Sequence, residues 1–211
     1  MRGPRLLVPL ALAALTLVAA GCSSTESRAE AASPAATHTA KKTCKYRAGW
    51  QKLANRIDAP VYCPTWLPDP LVPQLDGRWN NIYAVDPDRS YLVSFVWQET
   101  GPGAAGGELH VNLRGYPGRT AIPLCTRGGG DKQKIPCFSD ARGTISANGI
   151  RATMFTVNQD ADQWHVLLAW RHEGSLYTLS EHVAPPLTYR KVLAYLKREL
   201  RSLVLVEPSR A

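Results

Sequence analysis

The segment QWHVLLAWRHEGSLYTLSEHV, residues 163–183, places two apolar runs on either side of the pair Glu173-Gly174. In the first run every second residue is large and apolar, which is the period of a β-strand with one buried face. These residues are Trp164, Val166, Leu168 and Trp170. Because a Glu-Gly pair is typical of a tight turn, the segment predicts an antiparallel hairpin of two strands, Gln163–Arg171 and Ser175–Val183.

The residues before this hairpin extend it to a meander. Ile150–Val157 has the composition of a strand, follows the pair Asn148-Gly149 and precedes the polar turn at residues 158–162. Short turns between consecutive strands give antiparallel pairing. We therefore expect a three-stranded antiparallel meander that ends at Pro185 and Pro186.

Three more strands are predicted earlier in the chain, at Ile82–Val85, Ser90–Glu99 and Glu108–Arg114. The third of these alternates apolar and polar residues, which is typical of a strand with one face towards the core. The second places four large apolar residues on one face, namely Tyr91, Val93, Phe95 and Trp97.

Two helices are predicted, one at each end of these strands. Leu187–Val204 has an apolar stripe at helical spacing, formed by Tyr189, Val192, Leu193, Leu196, Leu200 and Leu203. A shorter amphipathic helix is predicted over Tyr46–Ile57, where Trp50, Leu53, Ala54 and Ile57 share one face. After it, Ala59–Pro70 contains four prolines and is predicted to be an irregular crossing segment.

The order of elements predicts the fold class α+β. We expect one antiparallel sheet of about five to seven strands, covered by the short N-terminal helix and the C-terminal amphipathic helix. This domain is predicted to span residues 44–208. An alternative for the C-terminal helix is that it lies on a membrane, since its polar side is basic.

The N-terminal residues have the features of an export signal. Two arginines precede the apolar run Leu6–Ala20, whose about 15 residues are fewer than the roughly 20 that a membrane-spanning helix needs. The small residues before Cys22 resemble the bacterial lipobox. This resemblance implies a signal peptide over residues 1–21 and a diacylglyceryl group on the Cys22 thiol. The alternative is an ordinary secretory signal with an unmodified Cys22.

Residues 22–43 are predicted to be the lipidated Cys22 and a flexible linker, because their Ser, Ala and Thr residues cannot bury enough surface to fold. The reach of such a linker is about 25 Å. Removal of residues 1–21 takes away two arginines and no acid, so the formal net charge falls from +8 to +6. This excess suits an anionic leaflet or polymer as partner, or serves solubility alone. Nucleic acid is not an expected partner of an exported chain.

The cysteine count is consistent with lipidation of Cys22. The chain has five cysteines, and without Cys22 the remaining four can form two disulfides in three possible pairings. We favour Cys44–Cys63 and Cys125–Cys137, because each pair closes a short local loop. The alternative is a metal site of four thiolates, which the absence of a Cys-x-x-Cys motif disfavours.

The loop between Cys125 and Cys137 is rich in glycine and basic residues. It contains the candidate anion-binding residues Arg127, Gly128, Gly129, Gly130, Lys132 and Lys134. No Gly-Lys-Ser/Thr opens a following helix, so the loop is not of the Walker type. The alternative, which we favour, is the exposed tip of a disulfide-bonded hairpin.

No catalytic motif is present in the sequence. It lacks Gly-x-Ser-x-Gly, His-Glu-x-x-His and Ser-x-x-Lys. His110 and His165 lie on the more polar sides of their predicted strands and could converge across a sheet, although separate surface histidines are the commoner outcome. His172, with Glu173 and Gly174, is better explained by a turn than by a metal-ligand pair. We therefore expect no catalytic residues, no metal site, no cofactor and a non-enzymatic protein.

Two motifs resemble parts of a known class of proteins. The sequence APVYCPTWLP at residues 59–68 and the sequence LAWRHEGSLYTL at residues 168–179, followed by a helix ending in LRSL, resemble small extracytoplasmic domains of unknown function in bacterial lipoproteins and envelope regulators. The Ala and Ser bias of the linker resembles that of actinobacterial lipoproteins. The resemblance implies a membrane-anchored accessory or sensing domain.

Two functions remain open for such a domain. The first is an interaction or sensor module whose exposed aromatic and basic surface contacts an envelope protein or anionic polymer. The second is a carrier of a lipid or small hydrophobe in a cavity between sheet and helices. The difference between them is whether the apolar strand residues fill the space under the helices or line a void.

Overall fold

The computed structural model describes residues 42–77, 83–126, 133–157, 162 and 164–209. Two α-helices, eleven strands and one 3₁₀ turn are found in this part of the chain. In chain order they are α1 (Arg47–Ile57), β1 (Val61–Pro64), the 3₁₀ turn (Val72–Asp76), β2 (Tyr83–Val85), β3 (Tyr91–Gln98), β4 (Glu108–Tyr116), β5 (Leu124–Thr126), β6 (Lys134–Pro136), β7 (Gly143–Ala147), β8 (Ile150–Val157), β9 (His165–His172), β10 (Ser175–His182), α2 (Tyr189–Ser202) and β11 (Leu203–Val206).

The main sheet has seven antiparallel strands in the order β2-β3-β4-β10-β9-β8-β7. It consists of two sequence-local groups, β2–β4 and β7–β10, which join where β10 pairs with β4. The α+β class, the large antiparallel sheet and the meander β8-β9-β10 are confirmed. β7, with the polar sequence GTISA, was not predicted because it has too few apolar residues to indicate a strand.

The expectation of a single sheet is wrong, because two further two-stranded sheets are present, β1–β11 and β5–β6. β1 lies in the proline-rich segment that was predicted to be irregular. β11 begins at Leu203, where the C-terminal helix was predicted to continue. These two strands satisfy each other's backbone hydrogen bonds, with Val61 opposite Val206 and Pro64 opposite Leu203.

One face of the main sheet, called here the inner face, packs against both helices. Trp50, Leu53 and Ile57 of α1 and Val192, Leu196 and Leu200 of α2 are buried in one cluster with Val166, Leu168 and Trp170 of β9. Burial of each such side chain is worth about 1.5–3 kcal/mol. Thr188 caps α2 by accepting a hydrogen bond from Lys191 N. Val192, Leu196 and Leu200 of the apolar stripe of α2 therefore cover the sheet, whereas Tyr189 at the start of the stripe is 43% exposed.

The opposite face, called here the outer face, carries a smaller apolar cluster and a polar one. The apolar cluster consists of Phe138, Phe155, Val157, Leu167, Ala169 and Leu176. Trp164, predicted to share the inner face of β9, instead precedes that strand in a left-handed conformation with φ of 61°. Its side chain is 60% exposed, and β9 begins only at the next residue, His165.

Two disulfides connect the chain, Cys44–Cys63 and Cys125–Cys137, which is the pairing that the sequence analysis favours. Their Cα atoms lie 6.0 and 4.9 Å apart, as bonded cysteines require. Disulfides are typical of proteins in an oxidising, extracytoplasmic compartment. None of the helices in the described residues is long and apolar enough to cross a membrane.

Candidate functional site

Several predicted site residues lie outside the part of the chain that the structure describes. These are Cys22 and, in the glycine-rich loop, Arg127, Gly128, Gly129, Gly130 and Lys132. Lys134 is described, and its Nζ donates a hydrogen bond of 2.7 Å to Thr126 Oγ1 across the β5–β6 hairpin. Lys134, one of the candidate anion-binding residues, therefore connects the two strands of the hairpin.

A cleft with a volume of about 540 Å³ lies beside α2. We call it the basic groove and define it by Lys42, Thr65, Trp66, Lys197, Arg198 and Arg201. Residues 194, 197, 198 and 201 line it together because a spacing of three or four residues returns to the same side of a helix. This side of α2 lies away from the apolar stripe that covers the sheet.

The walls of the basic groove are held by specific contacts. The Arg198 guanidinium lies 4.1 Å from the centre of the Trp66 ring, and Trp66 also packs edge-on against Tyr195 at 5.7 Å. Thr65 Oγ1 donates to the Ser202 carbonyl oxygen at 2.8 Å. These contacts connect the segment after β1 to the last turns of α2.

The charge of the basic groove is one-sided. Four of its lining residues are cations, Lys42, Lys197, Arg198 and Arg201, and no carboxylate lines it among the described residues. Lys42 Nζ donates to the Arg201 carbonyl oxygen at 2.7 Å, which brings the start of the described chain to the groove. Arginine and lysine at this density suit phosphate or carboxylate groups.

A second candidate site is a row of three histidines on the outer face. Glu181 of β10 lies opposite Val111 of β4, so the next residues outward, His182 and His110, are neighbours across the two strands. His182 lies opposite His165 of β9. We call His110, His165 and His182 the histidine row. One ring nitrogen of each lies within 4.8 Å of the others.

Acceptors surround the Nδ1 atoms of the histidine row. Glu108 Oε1 lies 3.1 Å from His182 Nδ1 and 3.4 Å from His110 Nδ1. His165 Nδ1 lies 3.0 Å from Ser180 Oγ, whose hydroxyl donates to Asp162 Oδ1 at 2.6 Å. Since the Ser180 proton is directed to Asp162, the Ser180 oxygen accepts a hydrogen bond from His165 Nδ1–H.

Asp162 is the centre of a buried polar network next to the row. Besides Ser180, its Oδ1 accepts a hydrogen bond from Asn112 Nδ2 at 3.0 Å. Its Oδ2 lies 3.3 Å from Arg114 Nε. Burial lowers the pKa of His165 well below its usual range, and burial also lowers the pKa of His110. Both rings are therefore uncharged at neutral pH, which is the form that can coordinate a metal.

The sequence predicted part of this arrangement. His110 and His165 do converge across the sheet, which was the less favoured of the two alternatives. His182, Glu108 and Asp162 were not assigned to the cluster. The alternation of β4 and β10 places Glu108, His110 and His182 on a polar face, but their proximity depends on the β4–β10 pairing, which local sequence does not show.

The two candidate sites lie on different sides of the domain. The basic groove is formed by the solvent-facing side of α2, while the histidine row lies on the sheet face opposite the helices. The groove can hold anionic groups, and the row offers nitrogen ligands to a cation. Searches of protein-family models, curated proteins and solved structures found no match to this chain.

Proposed function

We propose that this protein is a lipid-anchored, extracytoplasmic domain of the cell envelope with a non-enzymatic interaction role, and that its basic groove contacts the anionic leaflet to which Cys22 is tethered. The lipobox-like sequence before Cys22 supports the anchor. The two disulfides suit the oxidising side of the membrane.

The observation that carries the proposal is the position of the basic groove at the start of the described chain. Lys42, which lies at the end of the predicted linker of residues 22–43, itself lines the groove. A linker with a reach of about 25 Å keeps the groove close to the lipid surface, so the leaflet is the anionic partner at the highest local concentration.

The energetics favour such a contact. Each Lys or Arg near an anionic leaflet contributes about 1 kcal/mol of attraction. Four cations, with no carboxylate among the described residues that line the groove, can therefore add a second attachment to the lipid anchor and orient the domain. In that orientation the outer face of the sheet points away from the bilayer.

The packing of the inner face gives less support to the alternative function of a lipid carrier. A carrier needs an apolar cavity of several hundred Å³. Tyr91, Val93 and Phe95 of β3 are buried in the same cluster as the apolar residues of α1 and α2. This packing of strand residues against the helices supports the interaction role over the carrier role.

The experiment separates the lipid anchor from the groove. A fatty-acid probe is expected to label the wild-type full-length protein in its host and not the variant Cys22→Ser. In the unlipidated Cys22→Ser background, co-sedimentation with phosphatidylglycerol-containing vesicles then measures the groove. The further substitutions Lys197→Glu and Arg201→Glu should weaken vesicle binding by at least about tenfold, since two attractive charges become repulsive.

A matched control is the pair Arg142→Glu and Arg151→Glu, which makes the same charge change on exposed residues outside the groove. An equal loss in both double variants would show that net charge acts and the groove does not. Retention on polyphosphate without vesicle binding would assign the groove to an anionic polymer instead. An unlabelled wild-type protein would remove the lipid anchor from the proposal, whatever the groove binds.

A further inference from the structure

The histidine row has the composition and arrangement of a metal site. We propose that His110, His165 and His182 bind one Zn²⁺ ion on the outer face of the sheet. This proposal is independent of the lipid anchor and of the basic groove. It rests on the side chains of β4, β9 and β10, three neighbouring strands of the main sheet.

The first argument is the hydrogen bonding of the Nδ1 atoms. Metal-bound histidines usually donate their second ring N–H to a carboxylate or another acceptor, which fixes the tautomer and the ring orientation. Glu108 Oε1 is placed to accept from both His110 and His182, and Ser180 Oγ accepts from His165. With Nδ1 as the donor in each ring, the lone pair of Nε2 is left for the metal.

The second argument is a nitrogen without a partner. His110 Nε2 is buried and no described residue lies in ordinary hydrogen-bond geometry with it, while the Asn112 side chain also acts on this ring. A buried polar atom without a hydrogen-bond partner lowers the stability of a protein by about 1–3 kcal/mol. A group from outside the chain can remove this penalty by binding the atom. Coordination of a metal by Nε2 would remove this cost.

The third argument is distance. Zinc–nitrogen bonds of about 2.0–2.1 Å place the nitrogens of a tetrahedral site roughly 3.4 Å apart. In the structure, one nitrogen of each ring, either Nδ1 or Nε2, already lies within 4.8 Å of a nitrogen of the other two rings. Small side-chain rotations of His110 and His182 can therefore close the site, because these two side chains are about one-fifth exposed and have room to move.

The ligand type selects the ion. Three imidazole ligands suit Zn²⁺ better than the hard cations Mg²⁺ and Ca²⁺, which prefer oxygen ligands. Glu108 is engaged with two Nδ1 atoms, so we assign it the role of positioning the rings and leave the fourth coordination position to solvent or an external ligand. Asp162 supports His165 in the same way through Ser180.

A second group, His172, Glu173 and Glu207, also brings three possible ligand atoms together. Its two carboxylates are exposed, and Glu173 Oε1 lies 3.9 Å from His172 Nε2. His172 Nε2 is also buried without a hydrogen-bond partner among the described residues, so this ring is not oriented by a nearby acceptor at that atom. This group therefore provides a matched control, since His172 is a histidine next to a carboxylate on β9 but outside the proposed site.

The test is zinc titration of the purified full-length protein after treatment with a chelator, followed by calorimetry and by native mass spectrometry. We expect one Zn²⁺ per chain. His110→Ala and His182→Ala should each weaken binding by at least about 100-fold, and Glu108→Gln by roughly 10–100-fold, as is typical of the residues that orient metal ligands. His172→Ala should leave the affinity unchanged.

Substitution of the Co²⁺ ion for Zn²⁺ provides a readout that a merely structural histidine would not change, because a tetrahedral cobalt site has strong visible absorption. Circular dichroism of each variant checks that it is folded, and the partly exposed His110 and His182 are preferred to the buried His165 for this reason.

Absence of zinc binding by the wild-type protein would overturn the proposal. So would zinc affinity in folded His110→Ala and His182→Ala variants equal to that of the wild type.

Discussion

At the residue scale, a glycine determines how closely two central strands pack on the inner face. Gly115 of β4 lies directly opposite Tyr91 of β3, and the Tyr91 side chain covers it. A Cβ atom at position 115 would lie 2.9 Å from Tyr91 Cζ. Since Tyr91 is only 2% exposed, its ring cannot turn outward to make room.

We therefore predict that Gly115→Ala lowers the free energy of unfolding by about 1–3 kcal/mol, the usual cost of overpacking a core. Urea denaturation of the full-length protein measures this change. In a Tyr91→Leu background the clash is absent, so the same substitution should cost markedly less. An equal cost in both backgrounds would show that the contact with the Tyr91 ring is not its source.

The histidine row shows which part of a site single residues can predict. Alternation in β4 identifies the polar face that carries His110, and composition suggests that His165 lies on a similar face. Whether these rings meet depends on which strands are neighbours and in which register. β4 and β10 are separated by more than fifty residues and pair through long-range contacts, so His182 could not be placed with His110 from the sequence.

At the element scale, β10 and α2 bring two glutamates into the core. Glu181 and Glu199 are fully buried, and none of their four carboxylate oxygens has a hydrogen-bond partner among the described residues. Burial raises the pKa of both carboxyls far above the ordinary value of 4.5, and the charge of Glu199 raises that of Glu181 further. Both are therefore protonated in the folded protein at neutral pH.

This pair predicts that stability falls as the pH rises from about 4.5 towards neutrality and beyond. Below pH 4.5 the two carboxyl groups are protonated in both the folded and the unfolded protein. Above it the unfolded chain loses protons that the folded protein keeps, so unfolding becomes more favourable. Glu199→Gln removes one of these groups and should flatten the dependence by about 1–2 kcal/mol between mildly acidic and mildly alkaline pH. Thermal or urea unfolding across this range measures it.

The control for this prediction is Glu173→Gln, which makes the same substitution at an exposed glutamate in the β9–β10 turn and leaves the buried pair intact. Parallel stability curves for the wild type and Glu199→Gln would contradict the assignment of the pH dependence to the buried pair. The comparison uses slopes because a buried glutamine also lacks hydrogen-bond partners at this position, which affects the absolute stability at every pH.

The elements that could be predicted are those with a local period. β3, β4, β8, β9, β10 and both helices follow from alternation or helical spacing over eight or more residues. β1 and β11 could not be predicted, since each has four residues and gains its structure from a partner about 140 positions away. The four prolines near Val61 indicated an irregular segment where β1 forms, and the apolar stripe that reaches Leu203 indicated a helix where β11 begins.

At the scale of the whole molecule, the first and last strands pair and connect the two ends of the domain. β1 follows α1, and the Cys44–Cys63 disulfide links the start of α1 to β1 inside the main core, where both half-cystines are buried. Cys125–Cys137 instead spans the β5–β6 hairpin, which belongs to a separate two-stranded sheet. We therefore expect the two bridges to stabilise different cooperative units.

We predict that Cys44→Ala with Cys63→Ala lowers the global free energy of unfolding by about 3 kcal/mol, because the bridge closes a loop of 19 residues and the variant unfolded chain gains entropy. Cys125→Ala with Cys137→Ala should change the global urea midpoint much less and instead speed amide hydrogen exchange in β5 and β6. Hydrogen exchange and urea unfolding on the same pair of variants distinguish these effects. Equal losses of global stability in both variants would mean that the β5–β6 hairpin unfolds together with the main sheet, which its exposed strand residues argue against.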